Sequence, residues 1–190
     1  MLVLGISGSP RRGGNSEILL DEALDGAGKA GATVKKVHLA SFRFSPCIGC
    51  GSCEKTGVCA IKDEITPLFD EIAGADALIL SSSIYFYSVT AWTKAMIDRA
   101  QASWSRKYIL KDPNFPSEGK KGAFIAVGAT KGSKLFEGTR LTIQYFFDAV
   151  GYEYSAELLV KGVDEKGAIR EHPRYLQAAR ELGVALVSKK

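Results

Sequence analysis

The sequence predicts an α/β protein, a parallel sheet with helices on both faces and right-handed crossovers. Three observations carry that prediction. Short, unbroken apolar runs alternate five times with amphipathic helical stretches, and such runs suit parallel strands buried on both faces. Residues able to do chemistry gather in the segments that follow those runs, where open α/β sheets bind their ligands. No internal repeat or low-complexity tract interrupts the alternation. A single domain spanning residues 1–190 therefore accounts for the chain.

Leu2 to Ile6 form the first run, bounded by Ser7 and Gly8. The turn SGSPRRGGNS leads into a helix whose Leu19, Leu20, Ala23, Leu24 and Ala27 recur at helical spacing, with Asn15 or Ser16 as N-cap. Gly28 and Gly31 close it, and Thr33 to Leu39 supply a second strand. Residues of about 42–62 show no clear period, and a loop that long inside a compact domain points to function. Asp63 to Ala73 read as a second helix with Leu68, Phe69 and Ile72 inward, and Ala75 to Ser81 as a third strand. Ile84 to Tyr87 form an aromatic loop. Ser88 caps a third helix with inner face Val89, Trp92, Met96, Ile97 and Ala100. Ser105 to Gly119, polar and carrying Pro113 and Pro116, read as a connector. Ala123 to Val127 make a fourth strand, followed by the loop GATKGSKLFEG and a helix through Leu141, Tyr145 and Ala149. A fifth strand lies near Tyr154 to Val160. The last helix starts at Pro173 and turns Leu176, Ala179, Gly183, Leu186 and Val187 inward.

Hydrophobic residues make up 46% and charged residues 24%, as in ordinary globular proteins. No apolar run approaches a membrane span, so no membrane partner is expected. The start, MLVLGIS, lacks a basic leader and a cleavage site and reads as a strand. A cytoplasmic, reducing location follows, in which thiols serve metal or catalytic chemistry and structural disulfides are rare. The net charge is +4. Its basic pairs (Arg11–Arg12, Lys35–Lys36, Lys120–Lys121, Lys189–Lys190) are scattered, with no stripe interleaved with aromatics. That is a solvated surface, and no nucleic-acid partner is expected.

Cys47, Cys50, Cys53 and Cys59 are the chain's four cysteines, all within PCIGCGSCEKTGVC. Thiolates suit zinc, copper(I) and iron–sulfur clusters. A cubane needs a thiolate at each of its four corners, and two-residue gaps let one short loop wrap three of them. Gly49, Gly51 and Gly57 supply the positive-φ turns of such a wrap. A structural zinc site is the main alternative, but it favours two separated pairs. A redox dithiol or inert buried thiols is the second alternative.

The first loop lacks the dinucleotide fingerprint, because two residues separate Gly5 from Gly8. Gly8 and Gly13 begin a nucleotide P-loop, yet Gly14 and Asn15 follow where lysine and a hydroxyl belong. What remains is Ser7, Ser9 and Ser16 with Arg11, Arg12 and Asn15, a donor set for a phosphate monoester. A polar surface turn with a helix cap is the alternative. Tyr85, Phe86 and Tyr87 could stack on a flat ring or simply cover the sheet's end. Gly128, Ala129, Thr130 and Gly132 offer backbone groups near the rim of the same pocket.

GSPRRGGNS, PCIGCGSC with GVCAIKDE, and SIYFYSVTAWTKAMIDR together resemble the flavodoxin-like NADPH-dependent FMN reductase family, and within it the iron–sulfur flavoproteins. The resemblance implies a flavodoxin-like three-layer α/β/α sandwich with a five-stranded parallel sheet in the order 2-1-3-4-5. It implies FMN, with its phosphate on Ser7, Ser9, Arg11, Asn15 and Ser16 and its ring beside Ser83, Ile84, Tyr85, Phe86, Tyr87, Gly128 and Thr130. It implies a 4Fe–4S cluster on Cys47, Cys50, Cys53 and Cys59. Homodimers or homotetramers are expected, with the cluster near a subunit boundary.

The expected activity is electron transfer from a ferredoxin-like donor, through the cluster, to FMN and on to an acceptor. No acid–base side chain is required, and His38 and His172 read as structural or surface residues. The leading rival is an NAD(P)H-dependent FMN or quinone reductase whose cysteines hold zinc or nothing. A flavodoxin-like carrier without turnover chemistry is the third reading.

Overall fold

A computed structural model describes residues 1–116 and 119–188. Residues 117 and 118 of the expected connector, and the Lys189–Lys190 pair, lie outside the described residues. Five strands form the parallel sheet: β1 (Leu2–Ser7), β2 (Thr33–His38), β3 (Ala77–Tyr85), β5 (Lys120–Gly128) and β6 (Tyr152–Lys161). A two-residue strand, β4 (Ser88–Val89), folds back antiparallel on β3. The order is β2-β1-β3-β5-β6. Without β4 this is the expected 2-1-3-4-5.

The continuous apolar runs divide by the period of two. Leu4, Ile6, Leu78, Leu80, Phe124 and Ala126 face one layer, while Val3, Ala77, Ile79, Ala123 and Ile125 face the other. The second face is covered by α1 (Asn15–Lys29) and α7 (Pro173–Val187) through Leu19, Leu20, Ala23, Ala179, Leu182 and Leu186. The first is covered by α3 (Thr66–Gly74), α4 (Ala91–Arg99) and α6 (Glu137–Val150), with α5 (Gln101–Trp104) extending α4. The result is three layers, α/β/α. Edge strand β2 carries Lys35 and Lys36 on an exposed face, charges that discourage edge-to-edge pairing. Among the described residues no helix is long and apolar enough to cross a membrane.

Several elements differ from the sequence reading. Asn15 and Ser16 do not cap α1; Gly14 is the N-cap and makes no side-chain cap bond. Thr90, not Ser88, caps α4, its side chain accepting from the Thr93 N–H. The segment after Trp104 begins with a π-helical turn, Ser105–Ile109, closed by Leu110 N–H on the Ser105 carbonyl at 2.9 Å. Its polar residues are therefore helix-face charges, with Lys107 on Asp148 at 2.7 Å. In α6, Leu141 and Tyr145 are 58% and 70% exposed, and Ile143, Phe146, Phe147 and Val150 are the buried stripe. That helix carries two apolar stripes, and periodicity alone cannot choose between them. Trp92 is likewise more than a third exposed.

Helices α1 and α7 touch backbone to backbone. A Cβ on Gly183 would stand 1.8 Å from the Ala23 carbonyl oxygen, and one on Gly26 would stand 2.2 Å from that of Arg180. Gly183→Ala is expected to cost about 1–3 kcal/mol by overpacking. Gly28→Ala, whose Cβ would meet nothing closer than 4.0 Å, should gain about 0.5–1 kcal/mol from helix propensity. Urea unfolding of both variants checks the contrast. A Gly183→Ala protein as stable as the parent would mean the helices do not meet as described.

Candidate functional site

The sheet reverses direction of growth between β1 and β3, where open α/β sheets bind ligands. β1 ends at Ser7, paired with Ser81, while β3 runs on to Tyr85 alongside β5. The loop of residues 8–14 sits in the resulting step. Gly8 N–H donates to the Ser81 carbonyl at 2.7 Å. A Cβ on Gly8 would collide with Thr93 Oγ1 at 1.9 Å, so this approach requires glycine.

Above the step, Ser83 Oγ donates to Ser9 Oγ at 3.2 Å and lies 3.5 Å from Ser16 Oγ. Ser9, Arg11, Asn15, Ser83, Ile84 and Tyr85 line a cavity of about 170 Å3, together with Gly14, Val127, Ala129, Val163, Asp164 and Lys166. Ser7 Oγ is buried without a partner. The N-terminus of α1 has no side-chain cap, and among the described residues the Arg11 guanidinium makes no ion pair. Arg12 turns instead to Ser41. Uncapped N–H groups, hydroxyls and a free guanidinium fit a phosphate ester.

Asn15 has a second task. Its amide donates to the Glu165 carbonyl at 2.9 Å and accepts from the Ile169 N–H at 3.2 Å. The segment after β6 is thereby fastened to the first loop and brings Val163, Asp164 and Lys166 to the cavity. Sequence reasoning missed these residues, because nothing local marks a partner about 150 positions away. Glu17, also buried, accepts from Gly13 N–H at 2.6 Å and pairs with Lys36 at 3.1 Å. Burial opposes its charge, yet the Gly13 and Lys36 donors prevail and hold its carboxyl below the usual range. It braces the loop. His38 is buried beside it, with Nε2 at 3.8 Å from Glu17, and burial pushes its pKa down.

Phe86 and Tyr87 take φ of 50° and 61°, as the central residues of a primed hairpin turn do. Non-glycine residues in that region cost about 1–2 kcal/mol each, and strain of this kind gathers at ligand sites. Phe86 is fully exposed and Tyr87 half exposed. Neither lines the cavity, and nor do Ser7, Ser16, Gly128 or Thr130. Tyr87 lies over Gly132, whose Cβ would stand 2.5 Å from its hydroxyl.

The four cysteines are free thiols, and all four line one cavity of about 160 Å3 with Ile48, Glu54, Ile61, Arg99 and Ala102. Gly49, Gly51 and Gly57 take φ of 66°, 70° and 71°. Between the last two runs a short helix, α2 (Ser52–Thr56), inside the stretch expected to be loop. Two sulfurs have protein donors: Gly49 N–H to Cys47 Sγ at 3.5 Å and Ser105 Oγ–H to Cys53 Sγ at 3.6 Å. Among the described residues no three Cys, His, Asp or Glu side chains converge on a single ion position. Four thiolates around one cavity suit either a tetrahedral zinc or the corners of a cluster.

The neck of this bend is sewn shut. Arg43 Nε donates to Glu64 at 3.0 Å, Ser45 N–H donates to Asp63 at 3.1 Å, and Phe44 packs on Trp92 at 5.7 Å between centroids. Buried Arg99 forks onto Asp63. Burial opposes the charge of Asp63, but the Arg99 and Ser45 donors outweigh it and hold its pKa down. A wider cavity, about 580 Å3, shares Cys59 and Arg99 and lies between α3, α5 and the segment carrying Arg106 and Phe115.

Residues 1–150 match the family model described as NADPH-dependent FMN reductase. An iron–sulfur flavoprotein of Methanocaldococcus jannaschii is 37% identical over 144 residues, 76% of this chain and 68% of that protein. The NAD(P)H:quinone oxidoreductase from Methanothermobacter marburgensis superposes with a TM-score of 0.76 at 18% identity, covering 100% of this chain and 98% of that one. A flavodoxin from the domain Archaea superposes at 0.58 and 14% identity, covering 98% and 96%. The fold is flavodoxin-like. By its match over most of its length, and by its likeness to that relative, the chain belongs to the NADPH-dependent FMN reductase family and, within it, to the iron–sulfur flavoproteins.

Proposed function

We propose that this flavin-dependent oxidoreductase works as one FMN-binding domain over residues 1–190, passing electrons from a ferredoxin-like carrier through a 4Fe–4S centre on Cys47, Cys50, Cys53 and Cys59 to FMN, and on to an acceptor. The observation that carries this reading is the gathering of all four free thiols around one cavity. Bound together, the two cofactors would supply one-electron entry and two-electron exit. The protein's own part is placement. Ser9, Arg11 and Ser16, with the N–H groups opening α1, hold the phosphate, and Asn15 keeps the opposite wall in place. Ser83 completes the hydroxyl lining, and Ser7, its hydroxyl buried without a partner, ends the strand that leads into the loop. Ile84, Tyr85, Phe86, Tyr87, Gly128 and Thr130 border the ring. Donors to the cysteine sulfurs and the sewn neck limit solvent at the centre and set its potential.

An NAD(P)H-dependent FMN or quinone reductase is the second reading, favoured by the family description and by the exposed turn at Phe86 and Tyr87. Steady-state assays separate the two. Reduction of the bound flavin by reduced ferredoxin and not by NADPH is expected, and rapid NADPH oxidation with no response to ferredoxin would sink the first reading.

An anaerobic preparation is expected to hold about four irons and four sulfides per chain, along with FMN. Cys50→Ser should lose iron and keep flavin. Arg11→Ala should keep iron and weaken flavin retention by roughly tenfold or more, the range of one charge-assisted hydrogen bond. If the Cys50→Ser protein lost flavin and kept its iron, the assignment of the two sites would fall.

Self-association into a homodimer or homotetramer is part of the proposal. Ile48 and Val58 on the bend, Trp104 and Tyr108 at the end of α5 and in the turn after it, and Tyr145 on α6 are exposed, and exposed apolar patches mark contact surfaces. Sedimentation equilibrium should return two or four chains. A monomer at micromolar concentration would remove this element.

A further inference from the structure

Arg99, the last residue of α4, is 2% exposed. Both terminal nitrogens are fully used. Nη1 donates to the Ser45 carbonyl at 2.9 Å and Asp63 Oδ2 at 2.7 Å, and Nη2 donates to the Ile61 carbonyl at 3.0 Å and Asp63 Oδ1 at 3.2 Å. Ser45 lies just before Cys47 and Ile61 just after Cys59. One planar fork therefore grips the chain on both sides of the cysteines. The fifth N–H, on Nε, is buried without a partner, a state that costs free energy and marks a site short of an acceptor. Cys59 together with Arg99 lines both the cysteine cavity and the wider one behind it. A guanidinium stays charged at any ordinary pH.

We propose that Arg99 is the positioning residue of the cysteine bend: it closes the neck and donates its Nε–H to the Cys59 sulfur, raising the reduction potential of the centre held there. This rests on the cluster reading above. The donors to Cys47 and Cys53 are a neutral amide and a hydroxyl, whereas Arg99 brings a full charge. Hydrogen bonds to the sulfurs and nearby charge set cluster potentials. A cation stabilises the reduced, more negative state, so the potential rises. Lysine cannot stand in, because its point charge has no fork with which to hold Ser45, Ile61 and Asp63 together.

The test uses the full chain and two variants, Arg99→Lys and the double variant Arg99→Gln with Asp63→Asn, which leaves no buried charge unpaired. Three measurements are made on each: hydrogen exchange of residues 45–63 in the metal-free protein, the half-life of iron in the reconstituted protein against a chelator, and the midpoint potential. FMN content serves as the check on folding. Both variants should keep FMN. Both should exchange the bend faster and lose iron about tenfold sooner or more, the range seen when a ligand's hydrogen-bond partner is removed. The double variant should also titrate at a lower potential. Parental exchange and iron half-life in both variants would overturn the clamp, and an unchanged potential in the double variant would overturn the bond to Cys59. If the parent itself takes up no iron and sulfide, the cluster reading fails. The exchange measurement then still decides whether Arg99 holds the bend.

Discussion

A buried guanidinium paired with one carboxylate is the contact on which the cysteine-bearing half of the molecule depends. Arg99 and Asp63 have side chains only 1% and 15% exposed. Removing such ions from water costs several kcal/mol each, and their attraction with accompanying hydrogen bonds roughly offsets it. The pair is thus a weak source of net stability and a strong source of geometry. Its bonds reach two carbonyls on opposite sides of the bend, so the twenty-odd residues between β2 and α3 adopt a fixed neck without a sheet or long helix of their own. α4 presents Trp92 and Arg99 two turns apart, and both grip that neck, one through Phe44 and one through Ser45 and Ile61.

The cavity beside the first loop follows from a different constraint. Parallel strands bring all their carboxyl ends to one edge, but β1 stops short while β3 and β5 continue. The step between them opens a small volume lined by the hydroxyls of Ser9 and Ser83. Glu17 and Asn15 then fix the loop from below and from the side. Both bury polar atoms to do so, and both have them satisfied.

Much of this was legible in the sequence. Apolar runs placed the five parallel strands, since a strand buried on both faces leaves no alternation to misread. The spacing of Cys47, Cys50 and Cys53 with their glycines marked a wrapped loop. The hydroxyls and Arg11 marked the loop that lines the small cavity. The strand order came from family likeness and not from periodicity. What stayed hidden were partners distant along the chain: nothing local marks Arg99 as reaching Ser45 and Ile61, or Asp164 and Lys166 as reaching the first loop. The N-caps of α1 and α4 were misplaced by one or two residues, because several neighbouring serines, threonines and asparagines compete for the role. The inward face of α6 was misread because aromatics stand on both of its stripes. Positive φ at Phe86 and Tyr87 runs against the preferences of both residues, and local rules place no turn there.

The close seating of α7 on α1 has a consequence for how this architecture diversifies. Both α7 and the segment carrying Val163, Asp164 and Lys166 lie beyond residue 150, where the shared family pattern stops. Yet α7 meets α1 by bare backbone at Gly26 and Gly183, and Asn15 fastens the other segment to the first loop. One wall of the cleft is therefore supplied from beyond the family match and held firmly against the helix inside it. Ligand preference can be retuned from the carboxyl-terminal end while the sulfur-bearing bend, anchored on the opposite layer, is left undisturbed.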